Sequence, residues 1–134
     1  MPPSFNAVTA SIYVVDDNPP LTDLYARFLE AAGYILRTFN DRVEALAALR
    51  QENKKPDLLI TDYRGLSMPV EQFMHECLAL HPGLRILMVS GFSQSDLRFS
   101  QTRPHRFIEK PFSVEELLDE VRAALAGRNL FQAA

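Results

Sequence analysis

Short apolar runs alternate along this chain with stretches whose apolar residues recur every three or four positions. The runs cover residues 12–15, 35–39, 58–61, 85–89 and 106–108. Continuous apolar runs of that length suit strands buried on both faces of a parallel sheet. Between the first two, Pro19 and Pro20 fit a helix start, where a missing N–H does no harm. Leu21, Leu24, Tyr25, Phe28 and Ala32 then share one predicted buried face, and Gly33 sits where a left-handed cap ends the helix. A second helix begins after Asn40 or Asp41, turns Val43, Leu46, Ala47 and Leu49 inward, and ends at Lys54-Lys55-Pro56. A third opens at Pro69 or Val70, with Val70, Phe73, Met74, Cys77 and Leu78 on one stripe. The polar stretch 93–101 predicts a short helix, only weakly periodic. Ser113 with Glu116 forms a capping box for the last helix, whose stripe is Val114, Leu117, Leu118, Val121 and Leu125.

Five strands alternating with five helices predict an α/β fold, a doubly wound five-stranded parallel sheet covered on both faces. A length of 134 residues suits one domain with a core of its own. Residues 1–10 read as a flexible lead-in, 11–127 as the folded domain and 128–134 as a tail too short to fold alone. The 14 basic and 17 acidic residues leave a net charge of −3, and no basic run favours a nucleic-acid or anionic-membrane surface. The single cysteine, Cys77, forbids an intrachain disulfide and fits a reducing compartment. Residues 1–10 lack the pattern of a signal peptide, so a cytoplasmic domain is expected.

The chemistry lies where the runs stop. The first ends in Asp16-Asp17, the third in Asp62, the fourth in Ser90, and the fifth leads through Glu109 into Lys110-Pro111. In parallel strands these ends share one edge, where open α/β sheets place ligands. Two carboxylates about 4 Å apart repel by roughly 4 kcal/mol at an effective dielectric near 20. Such a cluster takes up a proton or recruits a cation, and oxygen-only ligation with open positions suits Mg²⁺. One carboxylate would remain free to attack phosphorus, with Lys110 and Ser90 placed to steady the phosphoryl oxygens.

These residues resemble the receiver domain of two-component response regulators over about residues 11–126. The resemblance implies a flavodoxin-like strand order and a phosphoryl group passed to Asp62 from a sensor histidine kinase or histidine phosphotransfer protein. It implies Mg²⁺ held by Asp16, Asp17, Asp62 and the backbone carbonyl of Arg64. Ser90 and Phe107 match the switch positions, and Lys110 the lysine that precedes a cis proline. Such a domain is a phosphoacceptor that promotes its own phosphorylation and dephosphorylation, not an enzyme. Its downstream partner is not legible, and a homodimer is compatible with the sequence. Arg64 and Phe92 resemble the variable positions flanking the site. One departure stands out: Pro69 comes seven positions after Asp62, as though Gly65-Leu66-Ser67 were inserted.

Blander readings stand beside these. An Asp at a strand end is often a cap or turn residue, Ser90 could cap the turn into Gly91, and Phe107 could be strand packing. His75, His81 and His105 show no ligand spacing. The longer loop supports an alternative, a receiver-shaped docking module that no longer needs phosphate. A dehalogenase-type phosphatase would want an Asp at position 64, which is Arg64. A flavin binder would want a phosphate-cradling loop where the acidic Asp16-Asp17-Asn18-Pro19 stands.

Overall fold

The five apolar runs form one parallel sheet in a computed structural model that describes residues 9–65 and 67–127. The strands are β1 (Ser11–Val15), β2 (Ile35–Phe39), β3 (Leu58–Asp62), β4 (Arg85–Ser90) and β5 (Arg106–Glu109), in the order β2-β1-β3-β4-β5. That order is flavodoxin-like, and the chain reverses direction across the sheet at β1 and β3. Register places Ile12 beside Leu58, Asp62 beside Val89 and Ser90 beside Glu109.

Among the described residues four α-helices cover the sheet: α1 (Pro19–Ala31), α2 (Arg42–Gln51), α3 (Val70–Leu80) and α4 (Val114–Ala126). Alternate strand residues serve opposite cores. Tyr13, Leu59, Ile86 and Met88 pack with α2 and α3, while Ile12, Val14, Ile60, Leu87 and Val89 pack with α1 and α4. Asn18 caps α1 by accepting from the Leu21 N–H, Asp41 caps α2, and Ser113 with Glu116 closes the expected capping box on α4. Gly33 has φ 101°, the left-handed geometry that its position after α1 requires. The Lys110-Pro111 bond is cis.

Three expectations need correction. The fifth helix is a single 3-10 turn, Gln94–Asp96. Ser93 Oγ bonds only the side chains of Ser95 and Asp96, while further on the backbone N–H groups of Ser100 and Gln101 donate to Glu71 and are not available to a helical ladder. Beyond it, Leu97 is buried and Phe99 half-buried, a two-residue spacing that fits extended backbone. On α1, Leu24 and Ala32 face solvent and the buried stripe is Thr22, Tyr25 and Leu29. On α2, Val43 and Ala47 are exposed while Arg42, Ala45, Leu46 and Leu49 are buried. Both helices are turned from the predicted face because apolar residues lie on more than one of their sides, and packing against the sheet chose. The expected lead-in (all but its last two residues), the tail 128–134 and Leu66 lie outside the described residues.

Candidate functional site

Asp16, Asp17 and Asp62 meet at the switch point between β1 and β3. Each offers one carboxylate oxygen, and the three oxygens lie within 4.8 Å of one another. Asp16 and Asp62 are buried, whereas Asp17 faces outward. Lys110, carried just past β5, brings its Nζ to 3.8 Å from Asp62 Oδ1 and 4.0 Å from Asp16 Oδ2. Its backbone N–H donates to the Ser90 carbonyl at 2.7 Å, which ties the lysine to the end of β4.

One ammonium does not balance this cluster. Burial, then the charge of Asp62, pushes the Asp16 carboxyl above its ordinary value. Burial pushes Asp62 up as well, against the pull of Lys110 and the Arg64 N–H. Asp16 Oδ1 accepts from the Asn18 N–H, but Asp16 Oδ2 is buried with no hydrogen-bond partner among the described residues. A buried carboxylate oxygen without a hydrogen bond, on a residue clustered with two more carboxylates, is an arrangement that a hard divalent cation satisfies. The residues present therefore fit Mg²⁺.

Ser90 is fully buried, and its Oγ accepts from the Phe92 N–H at 2.9 Å. It caps the turn as the bland reading had it, and its own proton is still available to donate. Phe107 is half-buried beside the core shared with α2 and α3. Arg64 and Phe92, separate in sequence, meet: the guanidinium lies 5.4 Å from the ring centroid, a cation–π contact. Tyr63 sets its ring edge-on to both Phe92 and Phe99, with centroids 6.1 Å apart in each pair.

Two residues of the site escaped the sequence reading. Arg42, the first residue of α2, is 4% exposed and donates to the carbonyls of Asp62, Arg64 and Met68 at 2.6, 2.8 and 2.7 Å. Its signal was present: Arg42, Ala45, Leu46 and Leu49 hold the i, i+3, i+4, i+7 spacing of one buried stripe. Glu71, in the first turn of α3, accepts from the backbone N–H groups of Ser100, Gln101 and Thr102 at 2.9, 2.5 and 2.8 Å. No local pattern pointed to it. Glu71 and Phe99 line the same cavity of about 820 Å³ as Asp16, Asp62 and Lys110.

An acid pair after the first strand, a lone acid closing the third and a lysine after the fifth, on a sheet of this order, point to a receiver domain. The sequence matches the response regulator receiver domain over residues 12–122, and the chain belongs to that family. Receivers are signalling domains of two-component systems, working between histidine kinases and downstream effectors, and are not enzymes of the ordinary kind. The chain is 28% identical over 117 residues to the probable transcriptional regulatory protein TcrX of Mycobacterium tuberculosis, covering 86% of this chain but 49% of that protein. It spans half or less of the length of such relatives. Its fold matches a response regulator receiver protein from Sinorhizobium medicae with a TM-score of 0.80 at 22% identity, over 91% of this chain and 98% of that one. It also matches the response regulator TrrA of Thermotoga maritima, solved with Mg²⁺ and BeF, with a TM-score of 0.75 at 26% identity, over 87% and 99%. Among the described residues no helix is long and apolar enough to cross a membrane.

Proposed function

We propose that this chain accepts a phosphoryl group on Asp62 and uses it to change the surface offered to a partner. The observation that carries this reading is the meeting of the Asp16, Asp17 and Asp62 oxygens within 4.8 Å, with Lys110 Nζ 3.8 Å from Asp62. An Asp62 oxygen bonds to phosphorus as the phosphorus–nitrogen bond of a phosphohistidine breaks, the electron pair returning to the imidazole. The donor is a sensor histidine kinase or a histidine phosphotransfer protein, and the setting is cytoplasmic. Asp16, Asp17, Asp62 and the Arg64 carbonyl would hold Mg²⁺, which when bound offsets the charge gathered on carboxylate and phosphoryl oxygens. Lys110 balances charge from the other side, and Ser90 donates its proton to a phosphoryl oxygen. Hydrolysis at the same centre later restores Asp62, so the domain assists its own phosphorylation and dephosphorylation.

Once modified, Asp62 draws Ser90 and Lys110 toward the new oxygens and biases Phe107 inward. The segment 93–105 then rearranges, because Phe99 and the Glu71 clasp border the cavity in which the phosphoryl group would sit. Intact mass after incubation with acetyl phosphate tests the reading, with and without Mg²⁺, on wild type and Asp62→Asn. One phosphoryl adduct needing both Mg²⁺ and Asp62 is expected. No adduct, and no Mg²⁺ binding by titration, would overturn it in favour of phosphate-independent docking.

A further inference from the structure

Among the described residues Arg42 is the one basic side chain in the buried interior, and although it lies within the field of Asp62, Asp17 and Asp16, its hydrogen bonds go to backbone. Its Nη2 serves the carbonyls of Asp62 and Arg64 and its Nη1 that of Met68, so one guanidinium spans the loop that is longer than the family pattern. Gly65 crosses directly over it. A Cβ built on Gly65 would stand 2.7 Å from Arg42 Nη1 and 2.9 Å from Cζ, too close for any side chain unless the guanidinium moves. Loop and arginine are thus fitted to one another: a fork of donors on one side and a bare backbone on the other.

The Arg64 carbonyl has two lone pairs, and Arg42 takes one. The other is left for a cation at the acids. Without Arg42, the Asp62 carbonyl at the end of β3 would keep only the Thr61 hydroxyl, the Arg64 and Met68 carbonyls of the loop would each seek a different partner, and the position of the Arg64 oxygen would no longer be determined. We propose that Arg42 is a positioning residue for the cation site, holding the Arg64 carbonyl and the Asp62 main chain in ligand geometry before any cation arrives. This rests on the reading that Asp16, Asp17 and Asp62 bind Mg²⁺.

Charge and geometry pull in opposite directions here, which makes the proposal decidable. A buried positive charge by itself repels Mg²⁺, so if charge were the whole of its effect, Arg42→Gln would bind Mg²⁺ more tightly and Arg42→Lys would match wild type. If Arg42 positions the loop, both variants lose affinity, because neither an ammonium nor an amide can fork across three carbonyls. Gly65→Ala should lose it too, with Arg42 intact, because the methyl group drives the guanidinium off the loop.

The measurement is calorimetric titration of each folded variant with Mg²⁺ in the absence of any phosphodonor. Alongside it, acetyl phosphate labelling is followed as a function of Mg²⁺ concentration. An affinity loss of about tenfold or more is expected in all three variants. The Mg²⁺ concentration for half-maximal labelling should rise in proportion, while the rate at saturating Mg²⁺ stays within about twofold. A purely structural role would lower the unfolding midpoint and leave that half-saturation point in place. Unchanged or tighter Mg²⁺ binding in Arg42→Lys or Arg42→Gln would overturn the proposal and leave the cation reading standing. Absence of Mg²⁺ binding in wild type would overturn both.

Discussion

The two irregular segments that follow β3 and β4 are held by opposite devices. After β3, backbone carbonyls converge on a cation, Arg42, reaching across from the first turn of α2. After β4, backbone N–H groups converge on an anion, Glu71, reaching across from the first turn of α3. The chemistry is mirrored but the setting is not. Arg42 is buried, where each bond is little screened and a lost partner is costly. Glu71 works at the surface, where water competes for the same amides. The loop after β3 is fixed from inside; the segment after β4 is fastened from outside, where release is cheap.

The sharpest way to break that contrast is to remove each clasp in turn. Arg42→Ala takes the donor from the part-buried Arg64 and Met68 carbonyls and leaves the buried Asp62 carbonyl only the Thr61 hydroxyl, and a loss of about 2 kcal/mol in unfolding free energy is expected. Chemical denaturation would show it, and a loss below about 1 kcal/mol would mean water replaces the guanidinium easily. Glu71→Gln should leave the denaturation midpoint nearly unchanged while speeding amide exchange at Ser100, Gln101 and Thr102. Equal effects from the two variants would erase the distinction.

Acidity sharpens it further. The three N–H groups hold the Glu71 carboxyl down to about 2, below its ordinary 4.5. Because its folded value is depressed, its contribution is present above about pH 4.5 and fades as pH falls toward 2. The protection factors at residues 100–102, taken against free-peptide rates at each pH, should therefore fall through that window in wild type and show no such fall in Glu71→Gln. The smallest effect belongs to the far end of the same segment. His105 Nδ1 accepts from the Ile86 N–H, and burial, then the nearby charge of Arg85, lowers its pKa below 6.5. That bond needs the neutral ring, so its contribution holds above about pH 6.5 and is lost as pH falls below it. A pH titration of the Ile86 protection factor, exchange measured relative to the free-peptide rate at each pH, should be flat above neutrality and fall below it.

The strands and the acids were legible in the sequence because both are local. An apolar run that stops on Asp16-Asp17 or Asp62 names its strand and its site in one stroke. Faces of α1 and α2 were less so: Leu24 and Val43 extend plausible stripes, yet Thr22 and Arg42 took the buried places. The two clasps were the least legible. Arg42 reaches carbonyls 20, 22 and 26 residues on, and Glu71 reaches amides 29 to 31 residues on. Partnerships at that separation are created by the fold itself. The missing fifth helix has the same origin, since N–H groups that bond Glu71 are not available to a helical ladder.

The strand order also divides the site by how firmly each half is rooted. Asp16, Asp17 and Asp62 end β1 and β3, interior strands with a neighbour on either side, whereas Lys110 follows β5, at the margin of the sheet. Sheets open from their margins, and fluctuations that release an outer strand need not disturb the middle. A brief fraying of β5 would carry the ammonium away and leave three carboxylates assembled but uncompensated. Peeling that one strand would take the ammonium from the acids while the interior of the sheet stays folded.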